Sequence, residues 1–416
     1  MIKLFREHEE FGGFGKFDTN NGQLSQITES EFNSLRKLEI PTYFNNNFNH
    51  TIFPRRIYFQ ITRYCDLMCD YCFIRADKSQ KHLDTNTIFN LADYFGRQGL
   101  MEVRLTGGEP TLHPDFEKIY EKFRENNIYV SVATNGIWNK KTLEYLGKQR
   151  NIWLIISIDG SRHIHNRFRK NSYDKIVKNI LNLKSVNPEC RIRINTVLTQ
   201  ENYKETEHLA LLTRQFDAES ITLIPLRPQV RNRNVTNKML RPEQFKQVII
   251  EMIGLKEKYG IKFTTTIETE FKEKIMPDKI FRKKSSCAAG REGTNLDFDF
   301  ETKKLFLYGC SYCPASDLKE LPKVRQPFVA GELNYNEIGK IKEIWDNDSN
   351  WTVFRNLDLK SNNCKNCNEL GNRCTGSCPI QNIDLTNVNF ESNLISQLAE
   401  QMQQNAEWYC YKGLNI

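Results

Sequence analysis

The sequence lacks any run of apolar residues long enough to cross a membrane, which takes about 18 to 20 consecutive residues. The opening stretch, MIKLFREHEEF, has no apolar segment of the kind found in secretory signals, so we expect a cytoplasmic protein without membrane attachment. A strong charge imbalance is missing too. The excess of 59 basic over 51 acidic residues gives a net charge of only +8, so we expect no nucleic-acid partner.

Cysteine, by contrast, is abundant, with 12 residues in the chain. Without export, clustered cysteines favour metal or cluster ligation over disulfides. The segment CDLMCDYC places Cys65, Cys69 and Cys72 within eight positions, with no fourth cysteine or histidine nearby. Asp70 is too close in sequence to point inward with both neighbours. Because a structural zinc site needs four ligands, this triplet predicts a site that is left one ligand short.

Strand and helix patterns alternate from Arg56 to about Tyr259 and predict an α/β fold with a parallel sheet. In such sheets the site lies at the carboxyl ends of the strands. The cysteine triplet follows the first strand, and Gly107-Gly108-Glu109 follows the second. The predicted strands lie at residues 56–63, 101–106, 128–136, 151–160, 191–198 and 219–226. We expect three domains: a hairpin-helix unit (1–50), the alternating region (51–265) and a cysteine-rich tail (266–416).

The triplet spacing, with the aromatic Tyr71 before its last cysteine, resembles the motif of radical S-adenosylmethionine (SAM) enzymes. The resemblance implies a partial (β/α)6 barrel and a 4Fe–4S cluster on Cys65, Cys69 and Cys72, whose free iron binds the methionine part of SAM. Tyr71 would contact the adenine region, and the GGEP segment would meet the methionine amino group. The further SAM contacts implied by the resemblance are Gly107, Gly108, Glu109, Ser157, Arg169 and Asn195.

The cysteines of the tail resemble the SPASM extension, an iron–sulfur domain found in radical SAM enzymes that act mostly on peptides and proteins. The resemblance implies two auxiliary 4Fe–4S clusters, and so three clusters in all. One would be held by Cys364, Cys367, Cys374 and Cys410. The other would be held by Cys287, Cys310, Cys378 and Cys313, although a free Cys313 would leave that cluster open. The segment between Cys287 and Cys310 predicts a pair of strands.

These resemblances imply an enzyme that cleaves SAM to a 5′-deoxyadenosyl radical and abstracts hydrogen from a ribosomally made peptide. An auxiliary cluster would accept an electron as a new bond forms. A flavodoxin- or ferredoxin-like protein would supply electrons. The alternatives are a sulfatase-type maturase, a small-molecule alcohol or sugar dehydrogenase, or a non-catalytic iron–sulfur or zinc protein. Ser311 follows Cys310 where sulfatase-maturating enzymes have an acidic residue, which argues against that alternative.

The first 50 residues predict a hairpin around Asn20-Asn21-Gly22, followed by a helix that Thr28 and Glu31 begin as a capping box. This unit resembles part of the modules that bind the leader segment of a peptide substrate. An exposed edge strand could pair with such a peptide through its main chain. Alternatively, the unit covers the bottom of the barrel.

Overall fold

The computed structural model describes residues 1–47, 49–72, 74, 76–226, 237–265, 288–310 and 328–355, with a few single positions between 366 and 400. The strands, in chain order, are β1 (Ile2–Arg6), β2 (Phe14–Asp18), β3 (Gln23–Gln26), β4 (Thr42–Phe44), β5 (Arg56–Thr62), β6 (Glu102–Gly107), β7 (Tyr129–Thr134), β8 (Trp153–Ser157), β9 (Arg191–Leu198), β10 (Ser220–Pro225), β11 (Phe263–Thr265), β12 (Gly293–Asp299), β13 (Lys304–Tyr308) and β14 (Val329–Asn334). The helices are α1 (Glu29–Arg36), α2 (Thr85–Gln98), α3 (Phe116–Glu125), α4 (Lys140–Lys148), α5 (Arg162–Phe168), α6 (Tyr173–Val186), α7 (Thr206–Gln215), α8 (Pro242–Tyr259), α9 (Ile341–Asp346) and α10 (Thr352–Arg355).

The six strands predicted from the sequence are all present, as β5 to β10, and helices alternate with them. The predicted α/β class is therefore confirmed. Helix α2 shows why the local prediction succeeds. The Asp84 carboxylate accepts from the amides of Asn86 and Thr87 at its start, and Gly99 ends it in the left-handed conformation.

The first of two compact units contains Met1–Cys65, Ile74–Val132 and Cys287–Leu357. Its larger sheet has the order β7-β6-β5-β12-β13-β14. Strands β5, β6 and β7 are parallel, and β12 adds to β5 in the same direction. Strands β12 and β13 form an antiparallel hairpin, which confirms the strand pair predicted between Cys287 and Cys310.

The second compact unit contains Asp66–Phe73, Ala133–Ser286 and Asp358–Ile416. Its strands lie side by side and parallel, in the order β8-β9-β10-β11. Alternate residues of β9, such as Ile192 and Ile194, are fully buried, while Arg193 and Asn195 on the opposite face are half-buried. One face of this sheet is therefore apolar core, and the other is polar and partly open.

The N-terminal residues form a four-stranded sheet in the order β3-β2-β1-β4. The predicted hairpin is present as β2 and β3, and the predicted helix is α1. The Thr28 hydroxyl caps α1 by accepting from the Glu31 amide at 3.1 Å. The capping box is only half formed, because the Glu31 carboxylate pairs instead with Lys16 at 2.7 Å.

The N-terminal sheet contacts the amino ends of β6 and β7. The Lys3 ammonium donates to the carbonyl of Leu100, just before β6, at 2.8 Å. The Arg124 guanidinium donates to the carbonyl of Thr19 at 2.5 Å. Gly22 lies against the ring of Tyr129, at the start of β7, so closely that a Cβ there would be 2.5 Å from a ring carbon. These contacts favour the alternative in which the unit covers the amino ends of the parallel strands, here those of β6 and β7.

No helix in the described part of the chain is both long enough and apolar enough to cross a membrane.

Candidate functional site

The first cysteine of the triplet is held by backbone pairing just after β5 ends. The Cys65 amide donates to the carbonyl of Asp77 at 2.8 Å, and the Asp77 amide donates to the carbonyl of Arg63 at 3.0 Å. The Cys65 side chain is buried. Cys65 is thus anchored at the carboxyl end of a parallel strand, which is where binding sites in α/β folds lie.

The other two thiols of the triplet, Cys69 and Cys72, are half-buried and lie in one turn, where the Cys72 amide donates to the Cys69 carbonyl at 3.2 Å. Asp70, between them, pairs with the Lys170 ammonium at 3.0 Å. Burial raises the pKa of the Cys69 thiol, and the Arg169 guanidinium nearby opposes that rise.

The donor set of this loop consists of three thiols. Iron–sulfur clusters are held by cysteine thiolates, and three of them leave one iron of a cube open, so the residue types fit the implied cluster. In the described parts of the chain, no three side chains of His, Cys, Asp or Glu are grouped so that they could hold a metal ion. The fit therefore rests on the chemistry and the spacing of the thiols.

The two glycines after β6 allow a close approach of two backbone segments. A Cβ on Gly107, whose φ is +135°, would lie 2.3 Å from the Thr62 carbonyl oxygen. A Cβ on Gly108 would lie 2.1 Å from the Tyr64 carbonyl oxygen. Any larger residue would push the loop away. These glycines therefore fix the GGEP loop against the segment that leads directly into Cys65.

Glu109, which follows these glycines, is fully buried. One of its carboxylate oxygens accepts from the Thr111 hydroxyl at 2.6 Å and from the Thr111 amide at 3.2 Å. The carboxylate caps the short 3₁₀ helix at Pro110–Leu112. The residue that the resemblance assigns to the methionine amino group thus also has a local structural partner.

A buried carboxylate, Asp159, joins three parts of the second unit. One of its oxygens accepts from both the Tyr71 hydroxyl and the Arg169 Nε. The other accepts from the Val197 amide on β9 at 2.9 Å. The Asp159 carbonyl accepts from the Asn202 side chain at 2.9 Å. Asp159 thereby ties the cysteine loop to the ends of β8 and β9.

The charge states of the Tyr71 and Arg169 side chains follow from their burial and from their pairing with Asp159. Burial raises the pKa of Tyr71 well above its usual range, so its hydroxyl is a hydrogen-bond donor. Burial alone would lower the pKa of Arg169, but the Asp159 carboxylate outweighs that effect and raises it. The guanidinium is therefore charged, and its Nη1 lies 3.9 Å from the Cys69 sulfur.

Asp159 and Asn202 are residues that sequence reasoning missed or undervalued. Asp159 stands in the segment SIDG, where an aspartate before a glycine looks like an ordinary turn. Only its complete burial reveals that it neutralises Arg169. Asn202 carries no local signal at all.

The predicted SAM contacts Ser157 and Asn195 lie opposite each other on β8 and β9, on the polar face of that sheet. They are brought together by the register, because residues paired across parallel strands point to the same face. The Asn195 Oδ1 is buried and has no hydrogen-bond partner among the described residues.

The cysteines of the tail lie mostly outside the described residues, and these are Cys287, Cys313, Cys364, Cys367, Cys374, Cys378 and Cys410. Cys310 is described and follows β13, whose last residue, Tyr308, pairs with Asn295. Asn295 in turn pairs with Tyr58, near the amino end of β5. Because Cys65 follows the carboxyl end of β5, Cys310 and Cys65 lie toward opposite ends of that strand.

Comparison with known proteins identifies the alternating region. Residues 59–213 match the profile of the Radical SAM superfamily. The matched residues include the cysteine triplet and the GGEP segment. The superfamily implies SAM and a 4Fe–4S cluster as cofactors.

Two known proteins with similar sequences cover different shares of the chain. An S-adenosylmethionine-dependent nucleotide dehydratase of Selenomonas ruminantium is 30% identical over 173 residues, which are 39% of this chain and 62% of that protein. The mycofactocin maturase MftC of Mycobacterium tuberculosis is 23% identical over 332 residues, 78% of each chain. The second likeness therefore extends well beyond the radical SAM domain.

A solved structure shares the fold over almost the whole chain. It is Streptococcus suis SuiB bound to the precursor peptide SuiA, which superposes with a TM-score of 0.66 at 16% identity. The superposition covers 91% of this chain and 94% of SuiB. The α/β fold predicted from the sequence is thus confirmed.

Proposed function

We propose that this protein is a radical SAM enzyme that modifies a ribosomally made peptide. The observation that carries the proposal is the likeness to a mycofactocin maturase over 78% of both chains, which extends well beyond residues 59–213. The fold shared with SuiB, a protein solved with its precursor peptide, supports the same class of substrate.

Cys65, Cys69 and Cys72 would hold the cluster, and Tyr71, Gly107, Gly108, Glu109, Ser157, Arg169 and Asn195 would contact SAM. When bound, these groups supply reductive cleavage of SAM to a 5′-deoxyadenosyl radical. The chain's own residues position the cluster and SAM and exclude water from them. Asp159 holds Tyr71 and Arg169 beside Cys69, and the two glycines hold the GGEP loop against the segment before Cys65.

The tail would form a SPASM domain with two auxiliary clusters on the assigned cysteines, one of which would accept an electron as the new bond forms. The β12–β13 hairpin supports this assignment, because it lies in the expected place between Cys287 and Cys310. Cys313 would complete the second auxiliary cluster.

A leader segment of the substrate would dock on the N-terminal sheet. Strands β3 and β4 are its two edges, and an edge strand offers unpaired main-chain groups to an extended peptide. The same sheet covers the amino ends of β6 and β7, so docking and capping are compatible. An acidic leader would suit the net charge of +8. Electrons would come from a flavodoxin- or ferredoxin-like donor.

A second candidate is an enzyme that acts on a small molecule. The observation that favours it is the 30% identity to a nucleotide dehydratase, which exceeds the identity to the peptide maturase. That likeness is confined to 39% of the chain, however, whereas the likeness to the maturase covers 78% of it.

The test is to incubate the anaerobically reconstituted enzyme, SAM and a reductant with each short peptide that is found to be encoded near its gene, and to analyse the peptides by mass spectrometry. The proposal expects a mass change that requires Cys65, Cys69 and Cys72. A variant without residues 1–44 serves as the docking control and should modify the peptide more slowly while still cleaving SAM. An unchanged peptide, together with turnover of a nucleotide, would favour the second candidate.

A further inference from the structure

The turn that follows α5 lies against the cysteine loop, and three consecutive residues of this turn contact the loop. The Phe168 carbonyl accepts from the Asp70 amide at 3.4 Å, and the Lys170 ammonium pairs with the Asp70 carboxylate at 3.0 Å. Between these two contacts, the Arg169 Nη1 lies 3.9 Å from the Cys69 sulfur. Two positive charges therefore lie beside the same loop, one at the surface and one in the interior.

The two charges differ in how strongly solvent screens them. The Lys170 side chain is 51% exposed, whereas that of Arg169 is 10% exposed. The Tyr71 ring covers the guanidinium, whose carbon lies 5.4 Å from the ring centre. A charge inside a protein acts more strongly on its neighbours than a charge in water does. Of these two positive charges, Arg169 is therefore the one that acts more strongly on the Cys69 sulfur.

The Asp159 carboxylate partly offsets the charge of Arg169. It accepts from the Arg169 Nε and is fully buried, so it too acts through a medium that screens poorly. Burial raises the pKa of the Cys69 thiol, and Arg169 opposes that rise more strongly than Asp159 adds to it. The pair therefore leaves a net positive field at this sulfur.

A positive field at a cluster ligand favours the reduced cluster, because one electron from the donor protein adds a negative charge. The reduction potential of an iron–sulfur cluster depends on the charge around it and on N–H groups directed at its sulfurs. Arg169 supplies both at Cys69, and Asp159 holds it there.

We propose that the Arg169–Asp159 pair sets the reduction potential of the 4Fe–4S cluster that has Cys69 as a ligand. Arg169 raises this potential, and Asp159 limits the rise. Arg169 thus acts on electron uptake, in a role separate from any contact with SAM. This inference rests on the proposed function, because it takes the cluster as bound.

The experiment is a redox titration of the reconstituted protein without SAM, followed by electron paramagnetic resonance. A separate sample identifies the signal of this cluster as the one that SAM changes. Arg169→Met should lower the potential, so that at a fixed potential the ratio of reduced to oxidised cluster falls about tenfold or more. Asp159→Asn should raise the potential. Arg169→Lys keeps the charge and should stay nearer to the wild type than Arg169→Met does.

Two further variants separate the effect of charge from a loss of structure. The double variant Asp159→Asn/Arg169→Met leaves no buried charge unpaired, and its potential should lie between those of the two single variants. Lys170→Met is the matched control, because it removes one positive charge from the adjacent, exposed position and should change the potential little. A potential does not depend on how much cluster is loaded, so a partial loss of iron does not obscure the result.

Equal potentials of the wild type, Arg169→Met and Asp159→Asn would overturn the inference. Shifts of the same sign in these two variants, or an equally large shift in Lys170→Met, would overturn it as well. A reconstituted wild type in which no cluster signal responds to SAM would instead overturn the proposed function.

Discussion

Tyr71 and Arg169 bond to the same carboxylate oxygen of Asp159, and the guanidinium of Arg169 lies 5.4 Å from the centre of the Tyr71 ring. Tyr71 is part of the cysteine loop, while Arg169 follows α5. Their common partner holds a buried positive charge beside Cys69 and fixes the loop from one side.

This arrangement predicts that Asp159→Asn destabilises the protein. The Asp159 side chain is fully buried and that of Arg169 is 10% exposed, so the variant would leave a buried guanidinium without its counter-charge. Breaking such a pair costs about 3 kcal/mol or more. Denaturant unfolding of the metal-free protein would measure the loss, and iron content after reconstitution should fall as well.

The matched control for that prediction is Asp70→Asn in the same loop. Asp70 pairs with Lys170 at the surface, where the side chains are 41% and 51% exposed. Exposed pairs contribute at most about 1 kcal/mol, so this variant should unfold nearly as the wild type does. Equal effects of the two substitutions would contradict the role given to Asp159.

Gly108→Ala should prevent the GGEP loop from packing against the segment that precedes Cys65. The added Cβ would lie 2.1 Å from a backbone oxygen of Tyr64, which cannot move without displacing Cys65. We expect lower iron retention and a lower melting temperature, measured by iron analysis and circular dichroism. Gly254→Ala in α8 meets nothing within 4 Å and should instead raise the stability by about 0.5–1 kcal/mol. A Gly108→Ala protein that keeps full iron would refute the close-packing argument.

Lys3 predicts a pH dependence at the junction of the N-terminal sheet. Burial lowers the pKa of Lys3 from 10.5 to about 8, and the side chain is 2% exposed. Between pH 8 and 10.5 the unfolded chain binds more protons than the folded one, so this residue makes the folded state more stable as the pH rises. The full effect is about 3 kcal/mol.

Lys3→Met removes that titration. At pH 7 the free energy of unfolding of Lys3→Met should equal or exceed that of the wild type. The variant no longer buries an ammonium group, but it also loses the hydrogen bond to the Leu100 carbonyl. As the pH rises from 8 toward 10, the free energy of unfolding of the wild type should increase relative to that of Lys3→Met. Parallel pH profiles for the two proteins, measured by urea unfolding, would show that the Lys3 ammonium is not desolvated.

The sequence predicts the strands β5 to β10 because each is a short run, either mostly apolar or, as in β9, alternating apolar and polar, between turn residues. Helices α2 and α6 have clear amphipathic periods, which makes them visible in the sequence as well. The short strand β4 was missed. It pairs with β1 in parallel across more than thirty residues, and no local pattern reports such a pairing.

The residues of the candidate site likewise differ in whether the sequence alone reveals them. The three cysteines and the two glycines are visible in the sequence because their spacing and residue types are specific. Asp159 is 88 residues from Tyr71, and its role arises only when the ends of β8 and β9 meet the cysteine loop. Long-range burial, which no local pattern encodes, decides that role.

The most direct test of the central claim is SAM cleavage by the anaerobically reconstituted protein, with iron and zinc measured on the same sample. We expect about twelve irons for each chain, loss of about four in the variant with Cys65, Cys69 and Cys72 changed to Ala, and 5′-deoxyadenosine from the wild type alone. Stoichiometric zinc without any cleavage of SAM would contradict it and indicate a zinc-stabilised binding protein.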